Sequence, residues 1–232
     1  MQSAALAERI RLFRIERIAK ILAKETPVTL MKGTKCVIHI VPLTTFGVSG
    51  AYNLESVRDL ADSFRPMGEN GRSYHYNFDG FFEIGSVDAS GGRTSYLQLF
   101  RDGAIETVTS DHIVDERRGV PALLWGDLCI YFFECVERSC AGLSSLGIAP
   151  PYAVMLSLLG VRGSVIITDS FGRTPSRVDR DDLLAPEIVV ETSEFEGEWH
   201  KMFRPALDAI WNAYGFSGAI NFDAEGRWRP KK

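Results

Sequence analysis

The sequence predicts an α+β domain in which a mainly antiparallel sheet packs against a long buried central helix and an amphipathic C-terminal helix. Three observations lead there. Short apolar runs rich in Val, Ile and aromatic residues follow one another through the first half of the chain, joined by turns containing Gly and Asp. The stretch from Pro121 to Leu146 is almost continuously apolar, interrupted by polar residues such as Glu134, Glu137 and Arg138, the pattern of a helix buried on most sides. The strands also come in adjacent runs, without the regular strand–helix alternation of a doubly wound fold. A chain of 232 residues is long for one domain and short for two. The expected division is a connector helix over 1–26 and a single α+β domain over 27–232.

The first element is a helix from Ala4 to Lys24, a stretch free of Pro and Gly and composed mainly of strong helix formers. Its apolar residues are not confined to one stripe. At about 100° per residue, Leu6, Ile10, Phe13 and Ile21 share one side, and Ile15, Ile18 and Leu22 lie nearer the opposite side. Such a helix suits a place between two bodies. Glu25-Thr26-Pro27 ends it.

Cys36 to Val41 reads as a buried strand, and Asn53 as the cap of a short helix running to Leu60 with Glu55 in its first turn. Aromatic residues from Ser73 to Ile84 favour strand, and Asp79-Gly80 also reads as a turn or bulge signal. Thr94–Phe100 and Ala104–Val108 flank Arg101-Asp102-Gly103, a strong hairpin signal. Gly147 suits the end of the central helix, and Tyr152–Leu159 and Ser164–Thr168 read as strands. Residues 169–186 read as a surface loop and Glu187–Glu191 as a strand. A final helix is expected from the capping-box spacing of Ser193 and Glu196, with the apolar face Trp199, Met202, Phe203, Ala206, Leu207, Ile210, Trp211 and Tyr214. Pro205 either kinks this helix or marks its true start.

Charge separates along the chain. Residues 1–35 hold eight Lys/Arg against three Glu, a net of +5, so the remainder carries −9 of the overall −4. A basic head on an acidic body can meet nucleic acid or dock on the body itself. Cys36, Cys129, Cys135 and Cys140 lack the spacing of a zinc site and read as buried free thiols, which suits a reducing cytosol. The start lacks the apolar block and cleavage site of a secretory leader, and no run of about 18 apolar residues suggests a membrane span. A cytoplasmic protein is therefore expected.

Candidate chemistry is sparse. Alternation along a strand over Ser73–Asp79 places Tyr74, Tyr76 and Phe78 on one face and His75, Asn77 and Asp79 on the other. A histidine, an amide and a carboxylate in a row suit a metal ligand set, a positioned base or an anion grip; a sheet with one packed and one wet face gives the same alternation. His200 and Arg204 lie one turn apart and suit an anion or a solvated face. His39, inside an apolar strand, reads as a hydrogen-bonded core histidine, and His112 lies in a polar turn. Asp179, Asp181 and Asp182 alternate with Arg177 and Arg180, without the spacing of a calcium loop. The chain contains no phosphate-binding glycine loop, metalloprotease or nucleophile-elbow motif. No cofactor and no metal are expected.

Five segments together resemble a known family. Phe13-Arg14-Ile15-Glu16-Arg17, Glu25-Thr26-Pro27-Val28, Tyr76-Asn77-Phe78-Asp79-Gly80, the run Leu97 to Glu106 and the run Val154 to Gly163 resemble, in order, the C-terminal region of bacterial proteins that begin with a Schlafen-type AlbA domain. Those proteins are described as DNA-binding or ATP-binding. The likeness runs from about Ile10 to Gly163 and weakens afterwards. The AlbA-type domain itself, where nucleic-acid or nucleotide binding is expected, has no counterpart in this sequence, so none of its functional residues maps here.

The resemblance implies a non-catalytic accessory domain acting with an upstream or separately encoded AlbA-type domain, and through it with nucleic acid. Arg11, Phe13, Arg14, Arg17 and Ile18 are the expected partner-binding residues, and self-association is a further expectation. Two rival readings stay open. One is a metal- or ligand-dependent enzyme or sensor using His75, Asn77 and Asp79, with Arg101 supplying positive charge. The other is direct nucleic-acid binding by the basic first helix.

Overall fold

The computed structural model describes residues 2–46, 52–69, 73–110, 114–117, 120–167 and 176–229. His112, Thr168 at the end of the expected strand Ser164–Thr168, and residues 169–175 of the expected loop lie outside them. The chain opens with helix α1 (Gln2–Leu22) and strand β1 (Lys35–Pro42). A short helix α2 (Leu54–Val57) passes into a 3₁₀ segment at Arg58–Phe64. Two hairpins follow, β2 (Tyr74–Asn77) with β3 (Gly80–Ile84) and β4 (Ser95–Phe100) with β5 (Ile105–Thr109). Then come β6 (Val114–Arg117), β7 (Val120–Leu124), helix α3 (Trp125–Ser145), β8 (Tyr152–Leu159), β9 (Val165–Ile167), β10 (Asp182–Leu184), β11 (Ile188–Val190) and helix α4 (Arg204–Ala213). This is the α+β architecture the sequence predicts.

The main sheet runs β10-β8-β1-β5-β4-β3-β2, antiparallel throughout, and β11 also pairs with β8. The inner strand β1 is covered on both faces, which explains why His39 is the one polar residue between Cys36 and Val41. Cys36, Ile38 and Ile40 face one core with α3 and α4; Val37 and Val41 face α1. The register His39↔Glu106 sets a histidine directly opposite a carboxylate on this second face. A smaller sheet, β6-β7-β9, lies apart from it, with β7 and β9 parallel.

The larger core is aromatic. Trp125 meets Trp211 edge-on at 5.3 Å and donates its indole N–H to Asn221 at 2.6 Å. Phe132 and Phe133 of α3 pack on Phe203, and Trp199 and Trp228 close the end of this cluster. All four cysteines are buried free thiols, and burial raises each of them. They are packing residues.

Several boundaries differ from expectation for definable reasons. Val120–Leu124 is strand β7, and the central helix starts at Trp125; a short apolar run reads alike as buried strand or buried helix. The strand stretch Ser73–Ile84 is a hairpin: Phe78-Asp79 form its turn, in line with the turn signal at Asp79-Gly80 rather than with one strand through Asp79. Gly80 follows that turn at φ +145, and a Cβ there would meet the Leu99 carbonyl oxygen, so only glycine fits. Pro205 marks the true start of α4, preceded by a 3₁₀ turn at Trp199–Phe203, and Ser193 caps nothing. The expected loop over 169–186 contains β10 within its described part. Elsewhere the local signals hold: the Asn53 side chain accepts from Glu55 N–H at 2.9 Å, and Phe100 and Ala104 close the Asp102-Gly103 hairpin.

One buried carboxyl stands out in the larger core. Glu83 on β3 is fully buried on the face it shares with Phe81, and no side chain donates to either oxygen. Burial raises its carboxyl to about 7, against the opposing pull of Arg65 and Arg138. The folded state therefore holds this proton more tightly than the unfolded chain. The stability it contributes is complete below the ordinary value of 4.5 and is lost as pH rises through about 7. Glu83→Gln should accordingly match the parent in thermal stability at acid pH and exceed it by about 1–3 kcal/mol near pH 8. Melting curves of the two proteins that stay parallel across this range would contradict the assignment.

Candidate functional site

Helix α1 lies across the outer face of the main sheet, opposite α3. Ile18 and Ile21 pack on Val37, Tyr96, Val108 and Leu159, and Ile10, with Leu6 and Phe13, packs on Val41, Ala104, Ala153 and Met155. Each fully seated isoleucine is worth about 1.5–3 kcal/mol. The two-sided helix of the sequence is thus half satisfied by its own domain. Ile18 belongs to the seated side rather than the opposite one, being 7% exposed.

A polar cluster lies beneath the helix. Glu106 on β5 is fully buried and accepts four hydrogen bonds. Arg17 donates from Nε at 2.9 Å and from Nη2 at 2.8 Å, a two-pronged grip on both oxygens. Tyr96 OH donates at 2.7 Å, and His39 Nε2 lies 3.1 Å from Oε2. Burial alone would raise the Glu106 carboxyl, but the bonds from His39 and Arg17 outweigh it and hold it at about 2. With Glu106 ionised, Nε2 of His39 is the donor. The Phe13 ring stands edge-on to His39 at 5.6 Å, and the Arg17 guanidinium lies 4.7 Å from the Phe100 ring centre.

The second anchor sits near the start of β11. Arg14 is buried and donates from Nη1 to the Ala185 carbonyl at 2.6 Å, with Glu187 3.7 Å from its Nη2. Arg11 reaches the same Glu187 at 3.2 Å from a more exposed position. The basic head therefore docks on the acidic body. This revises the expected partner-binding set. Phe13, Arg14, Arg17 and Ile18 are occupied by the domain's own sheet, and Arg11 is paired at its edge, because the buried Glu106 and the partly buried Glu187 receive these cations.

The opposite face of α1 carries the unclaimed apolar surface. Leu12, Ile15 and Leu22 are 55%, 56% and 56% exposed, and Ala5 and Ala19 lie exposed among them. Leu12 completes this stripe at the far edge of the helical wheel, where angular grouping around Ile15 and Leu22 missed it. Arg9, Glu16 and Lys20 flank it. Glu16 pairs with Lys20 at 3.3 Å, and the Arg9 guanidinium lies 5.0 Å from the Phe46 ring centre.

The second candidate set does not converge. His75 stacks on Phe82 at 5.3 Å and lies 3.4 Å from Ser73 Oγ. Asn77 donates to Gln98 at 2.8 Å, and its side-chain oxygen accepts from Gly80 N–H at 2.9 Å, so it pins the hairpin. Asp79 sits in the turn, off the strand that was expected to align it with the other two, and its carbonyl accepts from Arg101 N–H. Arg101 in turn holds the tip through the Phe78 carbonyl at 2.8 Å. No group of three or more His, Cys, Asp or Glu suited to a metal occurs among the described residues.

Other candidates find structural partners. His200 is half-buried, stacked on Trp199 at 4.1 Å, and burial lowers its pKa; it belongs to the aromatic cluster rather than to a solvated face. Arg204 pairs with Asp208. Asp181 pairs with Arg162 at 2.9 Å and Asp179 with Arg180 at 3.2 Å, the self-compensation expected there, with Arg162 as an added partner. A cleft of about 540 Å³ between the β10 region and α4 is lined by the Arg177, Asp179, Arg180 and Asp182 cluster with Leu183 and Ile210, and contains none of His75, Asn77, Asp79 or the expected partner-binding residues of α1. Among the described residues, no helix is long and apolar enough to cross a membrane.

Glu106 is the residue that sequence reading missed. A partial signal was present, a carboxylate between Ile105 and Val108 in an expected strand; its pairing with His39 is set by the fold. No family model, curated protein or solved structure matches the chain.

Removing one partner of such a buried charge cluster leaves the other uncompensated, at a cost of about 3–5 kcal/mol. Glu106→Gln should lose stability on that scale and release α1 to limited proteolysis at Arg14 and Arg17. Its contribution in the parent is present above the ordinary carboxylate value and lost as pH falls toward about 2. A variant that melts like the parent with α1 still protected would show that the cluster does not hold the helix.

Proposed function

We propose that the chain is a non-catalytic accessory domain that makes an assembly contact through the outer stripe of α1 and works beside a nucleic-acid-binding AlbA-type domain. One observation carries this reading: a helix fixed by one face to its own sheet holds Leu12, Ile15 and Leu22 exposed on the other. Exposed leucines scattered singly are ordinary, but here they share one face of one rigid helix. The association with an AlbA-type domain comes from the sequence resemblance. The scatter of His75, Asn77 and Asp79 gives no support to catalysis at that hairpin. Nor do Arg14 and Arg17, tied to Ala185, Glu187 and Glu106, support direct phosphate binding by the bare helix.

The test joins a Schlafen-type AlbA domain ahead of residue 1 and measures duplex DNA affinity. The chain alone should show no measurable affinity at physiological salt. In the fusion, Ile15→Asp should weaken DNA binding at least about tenfold through lost assembly, with its melting temperature unchanged. Steeply salt-dependent DNA binding by the chain alone, or a fusion indifferent to Ile15→Asp, would overturn the proposal.

A further inference from the structure

The stripe on α1 has a regular spacing. Ala5, Glu8, Leu12, Ile15, Ala19 and Leu22 alternate steps of three and four residues, the a and d positions of a heptad. This seam points directly away from the sheet. At about 100° per residue its centre lies opposite the Ile10, Arg14 and Arg17 side that the sheet holds.

The seam also selects its partner by charge. Arg9 and Glu16 sit at successive e positions on one flank, and both side chains reach solvent. In an antiparallel helix pair the e flank of each helix meets the e flank of the other. Each Arg9, which lies over Phe46, then faces a Glu16, which also pairs with Lys20 of its own helix, twice by symmetry, so this flank is complementary to itself when reversed. The same alignment sets Leu12 beside Ile15 and Leu22 beside Ala5, with Glu8 beside Ala19 as a polar layer on either side of the Leu12–Ile15 centre. A twofold axis of this kind is the ordinary symmetry of a homodimer.

From this we propose that α1 pairs antiparallel with α1 of a second copy of the chain, Leu12 packing on the partner subunit's Ile15 and Arg9 facing the partner subunit's Glu16. The inference rests on the reading of the outer stripe as an assembly surface and names its occupant. A seam of this length is small for an interface, so the dimer is weak and reversible. In a protein that also carries AlbA-type domains, the pair would bring two of them together.

Sedimentation of the full chain between about 1 and 100 μM tests this, in the range where small interfaces dissociate. The parent should shift from monomer to dimer, and Ile15→Asp or Leu12→Ser should raise the dissociation constant at least about tenfold at unchanged melting temperature. Arg9→Glu alone and Glu16→Arg alone should each weaken the dimer about threefold or more, and the double variant should restore it. A double variant as weak as the singles would refute the antiparallel register. A parent that stays monomeric at every concentration overturns the inference. If Ile15→Asp still impairs the AlbA fusion in that case, the assembly reading survives with a different occupant; if it does not, both fall.

Discussion

The structure depends on a buried carboxylate. Glu106 sits at the centre of the outer sheet face with no exposure to water, and it is stable there because Arg17, Tyr96 and His39 surround it with donors. Without α1 the same carboxylate would face solvent beside the apolar residues that Ile18 and Ile21 cover. Without Glu106, Arg17 would be a cation pressed against Phe100 and the sheet. Each makes the other's position tolerable, so helix and sheet are placed jointly. Burial of Ile10, Ile18 and Ile21 supplies most of the attraction. The charge cluster supplies the register, because a guanidinium that grips both oxygens fixes the helix along its length as well as around its axis.

This seating gives the exposed stripe its meaning. An apolar stripe on a frayed terminal helix is readily hidden by rotation. A stripe on a helix held by Arg14, Arg17 and Glu106 keeps its orientation, and Leu12, Ile15 and Leu22 stay directed away from the body. The opposite side of the domain is finished in a different way. There α3, α4 and the Trp125–Trp211 and Phe133–Trp199 contacts close a continuous aromatic core, and its histidine, His200, is absorbed into the stack. The domain thus has one completed face and one that carries a further surface.

Much of this was legible in residue patterns. The hairpin at Asp102-Gly103, the cap at Asn53, the buried β1 and the helix ending before Gly147 each follow from local rules that tertiary packing left intact. The double-sided character of α1 was legible too. Which side faces inward was not, because that depends on Glu106 and Glu187, residues about 90 and 170 positions away whose pairing is set by strand register and chain return. The same limit explains His75, Asn77 and Asp79. Alternation along one strand lines them up, and a turn at Phe78-Asp79, favoured by the need for glycine at position 80, separates them. The start of α3 was misplaced because Val120–Leu124 is apolar enough for either structure, and its pairing with β6 and β9 decides the matter.

Amide hydrogen exchange across α1 tests the central claim most directly, since it reports whether the helix is part of the folded body or an appendage. The account predicts that amides from Arg14 to Ile21 open with a free energy close to that of β1 and β5, and that Glu106→Gln lowers α1 protection selectively while β1 and the α3 core stay closed. Rapid exchange of α1 in the parent protein, or protection that survives Glu106→Gln unchanged, would contradict it.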